Sequence, residues 1–117
     1  MAHDMFPQTS AEISRKRREL APAQLEAFRA FSKAVFADGA LPLKTKQLIA
    51  VAVAHTTQCP YCIHGHTEGA LKAGASEAEI MEAIWVAAEM RAGGAYAHSA
   101  LALDTMAREA KPAGDAG

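Results

Sequence analysis

Seven consecutive apolar residues, Leu48-Ile49-Ala50-Val51-Ala52-Val53-Ala54, constrain this chain more than any other stretch. A segment with no polar side has to be surrounded by other parts of the protein. Seven residues alone fit a buried strand or a buried helix equally well. The flanks decide for helix, because the pattern extends from near Lys44 to about Thr57 and is rich in alanine. The run is far too short to span a bilayer. It predicts a central helix around which the rest of one small domain, residues 1–117, is packed. The hydrophobic fraction of 50% is enough to build such a core without disulfide staples.

Punctuation along the chain predicts about six helices and no sheet. Thr9 or Ser10 caps the first helix. Pro22 opens a second, with Leu25, Phe28, Phe31, Val35 and Phe36 on its apolar stripe and a stop at Asp38-Gly39. After the central helix, Pro60 opens a fourth that ends at Ala73-Gly74. Ser76 and Glu79 form a capping box for a fifth, with Ile80, Met81, Ile84, Trp85 and Ala88 facing inward. Gly93-Gly94 breaks the chain before a sixth, about 95–110. Residues 1–8 and 111–117 are expected to be loose.

Charge excludes some functions. Twelve Lys and Arg against thirteen Asp and Glu leave no field for nucleic acid or anionic lipid. The basic run Arg15-Lys16-Arg17-Arg18 reads as a solvated helix face or a subunit contact, since no aromatic residues or second basic stripe accompany it. Met1 to Pro7 lack the basic-then-apolar order of a signal peptide, so a cytoplasmic setting is expected.

The chemistry is concentrated in Cys59-Pro60-Tyr61-Cys62-Ile63-His64-Gly65-His66, which holds both cysteines and two of the five histidines. In a reducing compartment such a pair is catalytic or metal-binding rather than a staple. With the helix opening at Pro60, Cys59 lies at its mouth and Cys62 in its first turn. Unpaired N–H groups and the helix dipole there favour a thiolate. Positions 59, 62 and 66 form one stripe, so His66 can exchange a proton with Cys62. A peroxide oxidises such a thiol to a sulfenic acid that the second thiol resolves as a disulfide; the pair can equally exchange with another protein's disulfide. Two other readings fit these residues. Cys59, Cys62 and His66 could bind zinc with His55 or His64 as fourth ligand, although no second ligand pair exists elsewhere. Or the cysteines carry no catalysis, being either inert and buried at a helix start or vestigial or redox-sensing in an oligomeric helical adaptor.

The segments Leu43–Ala54, Cys59–His66 and Ala70–Ile80 together resemble the alkylhydroperoxidase D-like (AhpD-like) branch of the carboxymuconolactone decarboxylase superfamily. The resemblance implies an all-α AhpD-like bundle that assembles as a homotrimer or homohexamer. It implies a thiol-dependent peroxidase, or a disulfide reductase serving a partner peroxiredoxin. The substrates would be an organic hydroperoxide or a partner protein disulfide, and an external dithiol would donate electrons. Cys62 would attack the peroxide, Cys59 would resolve it, and His66 would belong to the proton relay. The redox-active Cys59–Cys62 disulfide would serve without metal or other cofactor. Decarboxylase relatives generally lack the cysteine pair, which argues against that activity here.

One position departs from the family pattern. Where the relay typically has a glutamate, twelve residues before the first cysteine, this chain has Gln47. An amide can orient His66 but cannot carry a proton as a carboxylate does. His55, at the end of the central helix, is a candidate substitute, or simply caps that helix. Tyr61 can donate a hydrogen bond or line the pocket. His64 and His98 read as surface or interface residues.

Overall fold

The structure is a computed structural model that describes residues 5–110. The expectations for residues 1–4 and 111–117 fall outside the described residues. Five helices follow one another: α1 (Ala11–Leu20), α2 (Pro22–Phe36), α3 (Leu43–Thr57), α4 (Pro60–Lys72) and α5 (Glu77–Glu109). Among the described residues there is no strand, and the fold is all-helical as the sequence predicts.

The local signals explain most boundaries. Ser10 Oγ accepts from the Ile13 N–H at 3.2 Å and starts α1. Pro22 and Pro60 occupy the first turns of α2 and α4, where a missing N–H costs nothing. Gly74, at φ +95°, turns the chain after α4. Ser76 Oγ accepts from the Glu79 N–H at 3.0 Å while Glu79 accepts from the Ser76 N–H at 2.8 Å, closing the capping box.

Three expectations are corrected. Gly93-Gly94 does not break the chain, and α5 runs through both glycines to Glu109. Two helical glycines cost about 2 kcal/mol relative to alanine. Helix propagation through the alanine-rich flanks offsets this, and no proline interrupts the bonding. The six expected helices are therefore five. Likewise, α2 stops at Phe36, before Asp38-Gly39, and its end is tied by Lys46 Nζ donating to the Val35 and Ala37 carbonyls at 2.8 and 2.5 Å. Finally, on α5 the inward residues are Ile80, Ile84 and Ala87, while Met81, Trp85 and Ala88 are exposed within the single chain.

Helix α3 lies between α4 and α5 and packs against both. Val51 is fully buried and forms the core with Ala70, Ala75 and Ile80, flanked by Leu48 and Ile84. The opposite side of α3, Ile49 and Val53, is exposed, as is the Phe28, Phe31 and Val35 stripe of α2. The radius of gyration is 21.6 Å, against about 13 Å for a compact chain of this length. Helix α5, about 50 Å long, accounts for much of that extension. No helix of the described residues is long and apolar enough to cross a membrane.

Candidate functional site

The site forms where α3 turns back into α4. Gln58 makes the turn in the left-handed region (φ 58°, ψ 50°), and the Cys59 N–H bonds to the Ala54 carbonyl at 3.1 Å. Cys59 thereby becomes the N-cap of α4, with its Sγ accepting from the Cys62 N–H at 3.3 Å. This is the role a serine oxygen plays at an ordinary cap, taken here by sulfur.

The two sulfurs lie 2.6 Å apart and share a hydrogen bond; both cysteines are free and half-buried. Their thiols are driven in opposite directions. Cys59 is held below the usual thiol range, chiefly by the bond with the Cys62 side chain and then by the Cys62 N–H. Cys62 is pushed up, chiefly by that same side-chain bond and then by burial.

His66 stands one turn after Cys62 on α4. Its Nδ1–H donates to Gln47 Oε1 on α3 at 2.8 Å, which leaves the Nε2 lone pair free. Phe36, at the end of α2, stacks on the imidazole with ring centroids 5.2 Å apart and an interplanar angle of 19°. Lys46 anchors the α2 terminus that carries Phe36. Gly69 faces the Gln47 carboxamide so closely that a Cβ there would lie 2.8 Å from Cδ and Oε1. The structure thus joins His66 to Gln47, a pair 19 positions apart in the chain. No hydrogen bond joins His66 to either sulfur among the described residues.

The other candidates are placed differently. The Nδ1–H of His55 donates to the Val51 carbonyl at 2.8 Å within α3. His98 does the same toward Gly94 at 2.7 Å on α5. Tyr61 donates its hydroxyl proton to the Pro7 carbonyl at 2.8 Å, and Phe6 meets its ring edge-on at 6.1 Å. The segment before α1 therefore straps across the start of α4, although 1–8 read as loose. Between strap and helix lies an open cleft of about 530 Å³, walled by Phe6, Tyr61, His64 and Glu68. Among the described residues, no three His, Cys, Asp or Glu side chains converge as a metal site requires.

Sequence reasoning missed Phe36, Lys46 and Gly69. The one available signal was Gly69 itself, a glycine in mid-helix with no turn to explain it.

Comparison with known proteins agrees with this architecture. The family model described as "Carboxymuconolactone decarboxylase family" matches residues 22–105. A protein from Paracoccus denitrificans called "Uncharacterized protein 4 in cox locus" is 60% identical over 103 residues, covering 88% of this chain and 92% of that protein. Among solved structures, a protein from Methanobacterium thermoautotrophicum has a TM-score of 0.68 at 39% identity, covering 73% of this chain and 98% of its own. The apo form of a carboxymuconolactone decarboxylase family protein from Legionella pneumophila has a TM-score of 0.64 at 35% identity, covering 83% and 87% of the two chains.

Proposed function

The chain belongs to the carboxymuconolactone decarboxylase family, and from that premise we propose that it is an AhpD-like thiol peroxidase working through a Cys59–Cys62 dithiol–disulfide cycle. The observation that carries this reading is the sulfur pair, 2.6 Å apart at the N-terminus of α4, with one thiol shifted down and the other up. A lowered thiol is the form that attacks an electrophilic oxygen or sulfur.

In the cycle, a thiolate attacks the terminal oxygen of a hydroperoxide, ROOH. The S–O bond forms as the O–O bond breaks, and the alkoxide takes a proton to leave as an alcohol. The second thiolate attacks the sulfenic sulfur, the S–S bond forms, and hydroxide leaves and is protonated to water. Two electrons from an external dithiol then reopen the disulfide. His66, one turn away with its tautomer fixed by Gln47, is the proton carrier for the oxygen that departs. The same pair supports exchange with a partner protein's disulfide, which needs the lowered thiol but no peroxide.

The working form is a homo-oligomer, a trimer or hexamer of this chain. What supports this is the extended single chain, with Trp85 68% and Tyr96 81% exposed, and the apolar stripe of α2 uncovered. A second copy is the occupant with a matching surface, because each chain brings the same unpaired faces.

The test is consumption of cumene hydroperoxide in the presence of a dithiol reductant, comparing wild type with Cys62→Ser. Turnover in wild type and its loss in the variant support a thiol peroxidase. Equal rates in both would remove the reading.

A further inference from the structure

We propose that Lys46 and Phe36 are positioning residues for His66: Lys46 clamps the end of α2, and Phe36 at that end sets the plane in which His66 offers its Nε2 atom to the departing oxygen. The proton step rests on the peroxidase reading above; the assignment goes beyond it to two residues outside the dithiol motif.

One hydrogen bond does not fix an imidazole. The bond from His66 Nδ1–H to Gln47 Oε1, 2.8 Å long, places one edge of the ring. It leaves the ring free to turn about the line between the two atoms. A flat contact on the ring face removes that freedom. Phe36 supplies it, with centroids 5.2 Å apart and planes 19° from parallel. Both residues are half-buried, so the stack also keeps water from that face of the imidazole. The Nε2 lone pair then has one direction, which proton transfer at a departing alkoxide or hydroxide requires.

Phe36 needs support of its own, because α2 buries no residue within the chain and its Phe28, Phe31 and Val35 are exposed. Lys46 provides it. Its Nζ donates to the Val35 carbonyl at 2.8 Å and to the Ala37 carbonyl at 2.5 Å. These groups stand on either side of Phe36, so the two bonds together fix the backbone from which its ring projects. They lie at the C-terminal end of α2, where helix carbonyls lack internal partners and attract a cation. Asp38 Oδ1 adds a second tie by accepting the Leu43 N–H at 2.6 Å, which joins the connector after α2 to the first residue of α3. Consecutive residues of α3 thus hold one imidazole in two ways: Gln47 holds its edge directly, and Lys46 holds its face through Phe36.

The test uses the reduced full chain carrying Lys46→Met, which keeps the apolar stem and removes the donors, Phe36→Leu, which keeps apolar bulk and removes the ring, or both. The first readout is NMR of the His66 ring, whose signals are identified by their loss in His66→Gln. A stacked phenyl moves the ring-proton signals upfield, and the proposal expects each single variant to lose that shift. The second readout is steady-state turnover of cumene hydroperoxide. Each single variant should lower kcat roughly three- to tenfold with KM unchanged. The double variant should lose no more than the larger single loss, because both substitutions act on one ring. Lys46→Met that melts lower but keeps the wild-type ring signals overturns the proposal, as do additive losses in the double variant. The NMR readout needs no peroxide. If wild type turns over no hydroperoxide, the peroxidase reading falls; loss of the ring shift in both variants still supports the clamp, and its retention still overturns it.

Discussion

Gln47 Oε1 accepts the Nδ1 proton of His66 at 2.8 Å, and this bond fixes which ring nitrogen of the histidine is free. It joins α3 to α4 through their facing sides, within a turn of the sulfur pair. Phe36 closes one face of the same ring. The imidazole is therefore held in plane and in tautomer, but among the described residues no group of opposite charge pairs with it.

A carboxylate at position 47 would provide that charge. Gln47→Glu is expected to raise hydroperoxide turnover roughly three- to tenfold, by stabilising the imidazolium that forms when His66 holds a proton. Steady-state assay with cumene hydroperoxide checks this. Unchanged or lower turnover would mean that His66 carries no proton in the rate-limiting step.

Gly69 is where stability and activity should part. Alanine is the better helix former by up to about 1 kcal/mol, so Gly69→Ala should melt no lower than wild type. The new Cβ, however, takes the space of the Gln47 carboxamide. The His66 Nδ1–H should lose its acceptor, visible in the ring-nitrogen NMR signals, and turnover should fall roughly tenfold. Loss of fold together with activity would show that the glycine serves packing instead.

Glu79 links acidity to stability. Its carboxylate accepts from Lys44 Nζ at 2.8 Å, and its pKa is lowered from 4.5, chiefly by that bond and next by the Ser76 N–H. A folded-state value below the unfolded one means the stabilisation is complete above the unfolded pKa. It is lost as pH falls through the folded value. Urea midpoints should therefore decline on acidification below about pH 4.5. In Lys44→Ala the part of that decline due to Glu79 should shrink. An identical pH profile in the variant would assign the decline to other carboxylates.

Uncovered apolar faces predict that the free chain is not the stable species. Light scattering on a sizing column should give three or six times the 12.4 kDa chain mass. Replacing Phe28 and Phe31 with aspartate should lower that mass and expose the chain to protease. A folded species at the single-chain mass would contradict this.

Much of the fold was legible because helix ends are written locally. Ser10, Pro22, Pro60, Gly74 and the Ser76–Glu79 box each act within a few residues. The uninterrupted α5 was not, because two glycines are a weak local cost and helix continuity depends on both flanks. Met81, Trp85 and Ala88 were misjudged because periodicity reports an apolar stripe without saying which molecule covers it. At the site, the spacing of Cys59, Cys62 and His66 was readable from helical geometry. The partnership of Phe36 with His66, and the crowding of Gln47 by Gly69, arise from helix packing and have no signature in spacing.

The Gln47–His66 bond has a consequence for how this sequence can vary. Both ends hang on continuous helices joined by only two residues, the turn residue Gln58 and the N-cap Cys59. Adding or deleting one residue in α3 after Gln47 rotates the earlier part of that helix by about 100° relative to α4. The carboxamide would swing to another face, and Lys46 would lose the end of α2 with it. Between positions 47 and 66, then, side chains are exchangeable in many places, but the number of residues is not.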